Sequence, residues 1–392
     1  MTPEKEFFLS VLSDHIWGRK TNPCDDINWD IISTISHSHQ LEGIIYYQCK
    51  SFLPQIFCSS FEKAYLSTLF HYSNNNYIIK ELTVELEKAH IPFLTVKGMD
   101  VANCYPVPAL RTMGDIDILV HIEDKEQAGQ VFEKMRFQLV EKSPDYTWTY
   151  TLNGMQYELH HYLIYQETVT RKEQAEFFNK YWSYSKNEHL DWSFHFLFLL
   201  AHLRKHLMNR GVGFRMFMDL AVVIQKQALN WPWIEEKLYE LNMTEFACVC
   251  FAMIKKWFSV SAPMLSPALE EDFVEQETEW IFTNGIFGFG GNNENNNVVN
   301  EWATKGNEPR VFPRLRMACK ILFPSYQDMK SFPSYRFIKD KPWLYPVAWL
   351  FRIYRLLLGC TDNVNSIMGR VFTPQSIIDE REEQLRKWGL IE

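Results

Sequence analysis

The sequence predicts an α+β protein in which a small mixed β-sheet is embedded in large helical N- and C-terminal regions. Three observations lead there. Apolar residues recur at helical spacing from Glu6 to about Ala89 and again beyond Val169. Runs with β character are confined between Ile91 and Leu159. Asn153-Gly154, a strong two-residue hairpin signal, stands between two of those runs.

The chain has 392 residues, more than one hydrophobic core usually serves, so several units are expected. Five regions are drawn: a helical region at 1–76, the sheet-bearing core at 77–168, a helical domain at 169–284, a mobile Gly/Asn-rich loop at 285–307 and a helical extension at 308–392.

The first helix opens with Thr2 as cap and Pro3 in the first turn, and continues through Phe8, Val11, Leu12 and Ile16. Ile78, Leu82 and Leu86 keep the same period. Phe93-Leu94-Thr95-Val96 then reads as a short strand ending in Lys97-Gly98, followed by a brief helix and a turn region at Pro106 and Pro108. Asp115 to Val120 is a strand by composition. The helix from about Glu123 to Met135 gathers Ala128, Val131, Phe132 and Met135 on one side. Tyr146–Leu152 and Met155–Leu159 form the hairpin, which places Glu158 on a strand.

Amphipathic helices are expected at 195–207, 214–224, 233–241 and 245–258. Gly285–Asn307 lacks hydrophobic period and reads as a loop; its glycines precede no Lys-Ser or Lys-Thr, so it is not a phosphate loop. The remainder is aromatic, punctuated by proline, and ends in a charged helix from Pro374 to Trp388.

Charge and cysteine usage bound the function. A net charge of −8 and a pI near 5.9 argue against broad binding of nucleic acid, so any phosphate site must be a local cluster. The eight cysteines form no CxxC pair and read as reduced core thiols of a cytoplasmic protein. No secretion signal is visible. Trp343–Leu358 is interrupted by Pro346, Arg352 and Arg355, so a transmembrane span is not expected; a buried amphipathic helix is the first reading and a peripheral seat on an anionic membrane the second.

Asp115 and Asp117 are separated by one strand residue and therefore share a face, close enough to share cations. Two such charges repel unless a metal compensates. Transfer from a nucleoside triphosphate uses that arrangement, with two divalent ions roughly 3.5–4 Å apart. Oxygen ligands and phosphates favour Mg²⁺, with Mn²⁺ as the alternative. Glu158 is the best-placed third carboxylate, and Asp145 is the fallback. Lys97, Arg111 and the glycines Gly98 and Gly114 offer charge and close backbone approach to phosphates. The plain alternative for Asp115-x-Asp117 alone is a solvated strand end.

Leu94-Thr95-Val96-Lys97-Gly98, Tyr105-Pro106 to Leu110-Arg111, Met113-Gly114-Asp115-Ile116-Asp117-Ile118-Leu119-Val120 and Tyr157-Glu158-Leu159-His160 together resemble the uncharacterised bacterial nucleotidyltransferase family of the polymerase-β-like superfamily. The resemblance covers roughly residues 70–225. It implies a nucleotidyltransferase core with a Gly-containing turn, an Asp-x-Asp strand and a third-strand acid, roles that fall on Gly98, Asp115, Asp117 and Glu158. The implied partners are a nucleoside triphosphate and an unidentified acceptor. Met99 stands where active members usually carry Ser.

His202, Lys205 and Arg215 lie in the helical region that follows the core in this family. They are expected to line the cleft and meet phosphates or acceptor, with helix packing as the plain alternative. His202 and His206 share a helix face, yet no third zinc ligand is evident. Two other functions compete with a metal-dependent transferase. One is a catalytically inactive nucleotide- or protein-binding module of the same fold, motivated by Met99. The other is a transferase acting on transfer RNA, which the acidic balance disfavours.

Overall fold

Helices α1 (Pro3–Ile16), α2 (Trp29–His39), α3 (Glu42–Cys49) and α4 (Gln55–Lys88) precede the sheet in a computed structural model of the chain. The structure describes residues 1–143, 147–165, 171–186, 188–209, 211–264 and 269–285 of a first unit, Met1–Gly290. Of a second unit, Gly291–Glu392, it describes residues 325, 326, 329, 333–338, 341–357 and 375–391. Asp145, Tyr146 and the Gly/Asn-rich stretch from residue 286 to 307 lie outside the described residues.

Local chemistry starts the helices where the sequence places them. Thr2 occupies the cap position of α1 without a side-chain cap bond, and Pro3 takes the first turn, where its missing N–H costs nothing. Asn28 caps α2 by accepting from the Asp30 N–H at 3.0 Å.

The sheet follows: β1 (Phe93–Val96), the short helix α5 (Gly98–Ala102), β2 (Asp115–Val120), α6 (Lys125–Lys134), β3 (Gln138–Lys142), β4 (Thr147–Leu152) and β5 (Met155–His160). Its order is β1-β2-β5-β4-β3. β2 and β5 run parallel at the centre, and every other pairing is antiparallel. Asn153 and Gly154 both adopt positive φ, 52° and 78°, as the tight turn between β4 and β5 requires.

One sheet face is apolar. Ile116, Ile118 and Val120 of β2, Tyr157 and Leu159 of β5 and Trp148 and Tyr150 of β4 join Ile78, Leu82 and Leu86 of α4 and Ala128, Val131 and Phe132 of α6 in one core. Alternation sends Asp115, Asp117, Glu158 and His160 to the opposite face. Sequence pattern did not reveal β3, because all five of its residues are exposed and no burial period exists to read. The small hairpin of β6 (Ser185–Lys186) and β7 (His189–Leu190) escaped for its brevity.

Helices α7 (Lys172–Phe178), α8 (Trp192–Asn209), α9 (Phe214–Lys226), α10 (Trp231–Glu240), α11 (Thr244–Phe258) and α12 (Glu271–Asn284) complete the first unit. The second unit contributes α13 (Tyr345–Leu357) and α14 (Gln375–Lys387). Met329, Tyr335, Ile338 and Ala348 form a small core there. Among the described residues no helix is long and apolar enough to cross a membrane. Cys49, Cys104 and Cys250 are buried free thiols.

Two packing sites generate predictions. A Cβ on Gly129 of α6 would lie 2.6 Å from the Trp148 ring and 3.0 Å from the Tyr150 hydroxyl. Gly129→Ala should therefore lower stability by about 1–3 kcal/mol, read as an earlier urea midpoint for the unit that holds the sheet. His39 is fully buried between Phe8, Phe214 and Phe282, and burial pushes its pKa down to about 4. The folded state keeps it neutral while the unfolded chain protonates it near 6.5. Its stabilisation is thus complete above pH 6.5 and is lost as pH falls toward 4, by at most about 3 kcal/mol. A His39→Phe variant should show a flatter loss of thermal stability between pH 7 and 4 than the parent.

Candidate active site

In the parallel pair, Asp117 lies opposite Glu158 and Leu119 opposite His160. Ligand atoms of Asp117, Glu158 and His160 come within 4.8 Å of one another, a group that could hold a metal ion. His160 Nε2 is 3.1 Å from Asp117 Oδ1 and 3.0 Å from Glu158 Oε2. Its Nδ1 is 3.0 Å from the hydroxyl of Thr147, the residue facing it on β4. Asp115 is more exposed and lines the same cleft.

The turn after β1 brings a cation to this acid cluster. Lys97 takes φ 58° and ψ −102°, a region non-glycine residues rarely occupy, at a cost of order 1–3 kcal/mol. A bond from its backbone N–H to His195 Nε2, 3.1 Å long, holds the turn. His195 is buried on α8, which pushes its pKa down to about 4 and keeps the ring neutral, so that Nε2 can accept. The Lys97 ammonium reaches Asp117, 3.1 Å from Oδ1 and 3.0 Å from Oδ2. It also lies 5.6 Å from the centre of the Phe198 ring.

These contacts set the protonation states. Burial alone would raise the Asp117 pKa, but Lys97 and His160 outweigh it and hold the carboxyl well below the usual range. The negative charge of Asp117, with burial, pushes Asp115 up. Burial lowers the His160 pKa, yet its contacts with Asp117 and Glu158 prevail and raise it.

Two clefts meet at Lys97, Asp115 and His202. The first, of about 790 Å³, runs from Asp117, Glu158 and His160 to Phe198, Arg204 and Lys205 on α8. The second, of about 870 Å³, extends past Gly98, Arg111 and Gly114 to His206 and Arg215. The residues expected from sequence thus divide: Lys205 faces the acid cluster from the first cleft, whereas Gly98, Arg111, Gly114 and Arg215 lie along the second. At Gly114 a side chain would meet nothing within 4 Å, so the backbone is open to a ligand there.

Arg111 has a structural partner that the sequence reading did not foresee. Its Nε and Nη2 donate to Asp219 Oδ1 and Oδ2, each at 2.8 Å, and the Tyr105 hydroxyl donates to the same carboxylate at 2.7 Å. All three groups are buried. Arg215 donates from Nη1 to the Thr112 carbonyl at 2.8 Å, and burial beside Arg111 lowers its pKa. Asp219 was legible only as an acid on the apolar face of α9. His160 had a clearer signal, since it follows Glu158 by two residues on one strand face. His195 gave none, being set among Trp192, Phe194, Phe196 and Phe198 with no chemistry-bearing pattern around it. His202 and His206 rings lie 4.4 Å apart, but among the described residues they belong to no group of three metal-binding side chains.

Removing one partner from the Arg111–Asp219 pair strands a buried charge. Arg111→Met should lower unfolding stability by about 3–5 kcal/mol in chemical denaturation, while Tyr105→Phe should cost only about 1 kcal/mol.

Comparison with known proteins gives one match. Residues 25–259, which include the whole sheet and helices α7 to α11, match the model of a family described as an uncharacterised nucleotidyltransferase. No curated protein and no solved structure matches the chain. Since that family model covers well over half of the sequence and spans every side chain of the acid cluster and both clefts, the chain belongs to this uncharacterised nucleotidyltransferase family.

Proposed function

We propose that the protein transfers a nucleoside monophosphate from a nucleoside triphosphate to an acceptor, with Asp115, Asp117 and Glu158 carrying a divalent-metal site. The observation that carries this reading is the approach of Asp117, Glu158 and His160 ligand atoms to within 4.8 Å, at the wall of a substrate-sized cleft. Two carboxylates and an imidazole suit a divalent ion, Mg²⁺ from the oxygen ligands and Mn²⁺ with equal ease. When bound, such an ion neutralises phosphate charge and acidifies an attacking hydroxyl.

The chain's own groups divide the remaining work. Glu158, part-exposed in the cleft, accepts the proton of the acceptor hydroxyl. Thr147 fixes the His160 ring through Nδ1, which leaves Nε2 turned toward the carboxylates of Asp117 and Glu158. Lys97 offers its charge to the phosphates once a cation pairs with Asp117. Gly98, Gly114, Arg215 and Lys205 seat the phosphates or the acceptor, and Arg111 braces the floor between them through Asp219.

Labelled nucleotides, Mg²⁺ or Mn²⁺ and pooled small-molecule acceptors provide the test. Transfer should disappear with a chelator and fall about a thousandfold in the Asp115→Asn/Asp117→Asn double variant and in Glu158→Gln. Equal labelling by parent and double variant would defeat the assignment.

One observation favours a second reading, a nucleotide-binding module without turnover: the Lys97 ammonium lies within 3.1 Å of both Asp117 oxygens and compensates the charge a metal would otherwise meet. Calorimetry separates the two. Nucleotide binding independent of Mg²⁺, with no pyrophosphate release, belongs to the module; binding that requires Mg²⁺ and releases pyrophosphate belongs to the enzyme.

A further inference from the structure

Helix α13 of the second unit is apolar on two faces, and among the described residues its core covers mainly one. Ala348 is buried, and Leu344, Tyr345 and Trp349 pack beside it against Met329, Tyr335 and Ile338. On the opposite side Val347, Leu350, Phe351 and Tyr354 are exposed, Leu350 by 69% and Tyr354 by 59%, as is Trp343 in the turn just before the helix, by 74%; Phe351 also meets the edge of the buried Tyr335 ring at 6.2 Å. The spacing of three, one and three residues from Val347 to Tyr354 keeps those four within roughly a third of the helix circumference. Phe337, also exposed, extends the patch beside Phe351. Scattered single apolar residues are ordinary on a surface, but an uninterrupted stripe of this kind marks a contact face.

Charge selects the occupant. From residue 333 to 357 the sequence carries Arg336, Lys339, Lys341, Arg352 and Arg355 against the single acid Asp340, in a chain whose net charge is −8. A second copy of the same stripe would bring like charges together. An anionic lipid surface brings opposite charge, and its headgroup boundary also accommodates the indole of Trp343 and the phenol of Tyr354 beside the apolar Val347, Leu350 and Phe351. We infer that the exposed face of α13 lies on the headgroup boundary of an anionic membrane. The contact is peripheral. A stripe of this length, about three turns, inserts side chains between headgroups and does not span.

Flotation of the full-length protein with phosphatidylcholine vesicles, with and without phosphatidylglycerol, tests this. The protein should float with the phosphatidylglycerol vesicles, about fivefold less with phosphatidylcholine alone, and progressively less as salt rises. Leu350→Glu should cut flotation by about tenfold or more, and Lys341→Glu, an exposed change with no bearing on the fold, by a few-fold, both with parental circular dichroism. Absence of flotation with either vesicle, or equal flotation of Leu350→Glu and parent, would overturn the inference. A lipid-independent dimer dispersed by Leu350→Glu would also overturn it and assign the stripe to a second copy.

Discussion

The parallel register between β2 and β5 is the constraint on which the rest of this site depends. It sets Asp117 against Glu158 and, two residues on, brings His160 beside both. Because side chains alternate, the same register packs Ile116, Ile118, Tyr157 and Leu159 against α4 and α6. A slip of one residue would bury carboxylates in that core and expose its apolar groups, so the hydrophobic face enforces the geometry of the acidic one. The packing of the core and the geometry of the acidic site are therefore read from one alignment of two strands.

Two different devices hold cationic side chains in place along the clefts of this acidic chain. The first is a strained turn at Lys97, held by a neutral buried histidine and aimed at Asp117. Strain of this kind persists only where surrounding contacts over-determine it, and the His195 bond ties the sheet to α8 at that point. The second is the buried Arg111–Asp219–Tyr105 cluster, which ties the segment before β2 to α9. Arg111 spends its planar fork on Asp219, so it acts mainly through the rigidity it gives the cleft wall, while Arg215 and Lys205 remain at the clefts themselves.

The division of the site into two clefts has a chemical consequence for the proposed reaction. Group transfer needs a donor and an acceptor on either side of the reacting phosphorus. The clefts meet at Lys97 and Asp115, with Glu158 to one side and Arg215 to the other. Met99 belongs to the short helix after the turn, and the positive-φ residue of that turn is Lys97 instead of a glycine. The turn of this chain thus presents an ammonium where a smaller residue would present only backbone.

Local chemistry made most of the fold legible in the sequence. Periodicity located α1, the end of α4, α6 and α8 to α11, Asn153-Gly154 located the hairpin, and strand alternation put Asp115 and Asp117 on one face, because period and turn type are properties of neighbouring residues. Edge strand β3 was not legible, since a strand exposed on both faces carries no burial signal. Partnerships between distant segments were equally hidden. His160 joining Asp117, His195 holding Lys97 and Asp219 claiming Arg111 each link residues from different elements, and the last two bridge about a hundred positions. The first pair needs only the β2–β5 register, whereas the other two arise when helices α8 and α9 close over the sheet and water is excluded between them. Residue type and spacing therefore determined which groups could do chemistry, and tertiary packing decided which of them are bound to one another and which face the clefts.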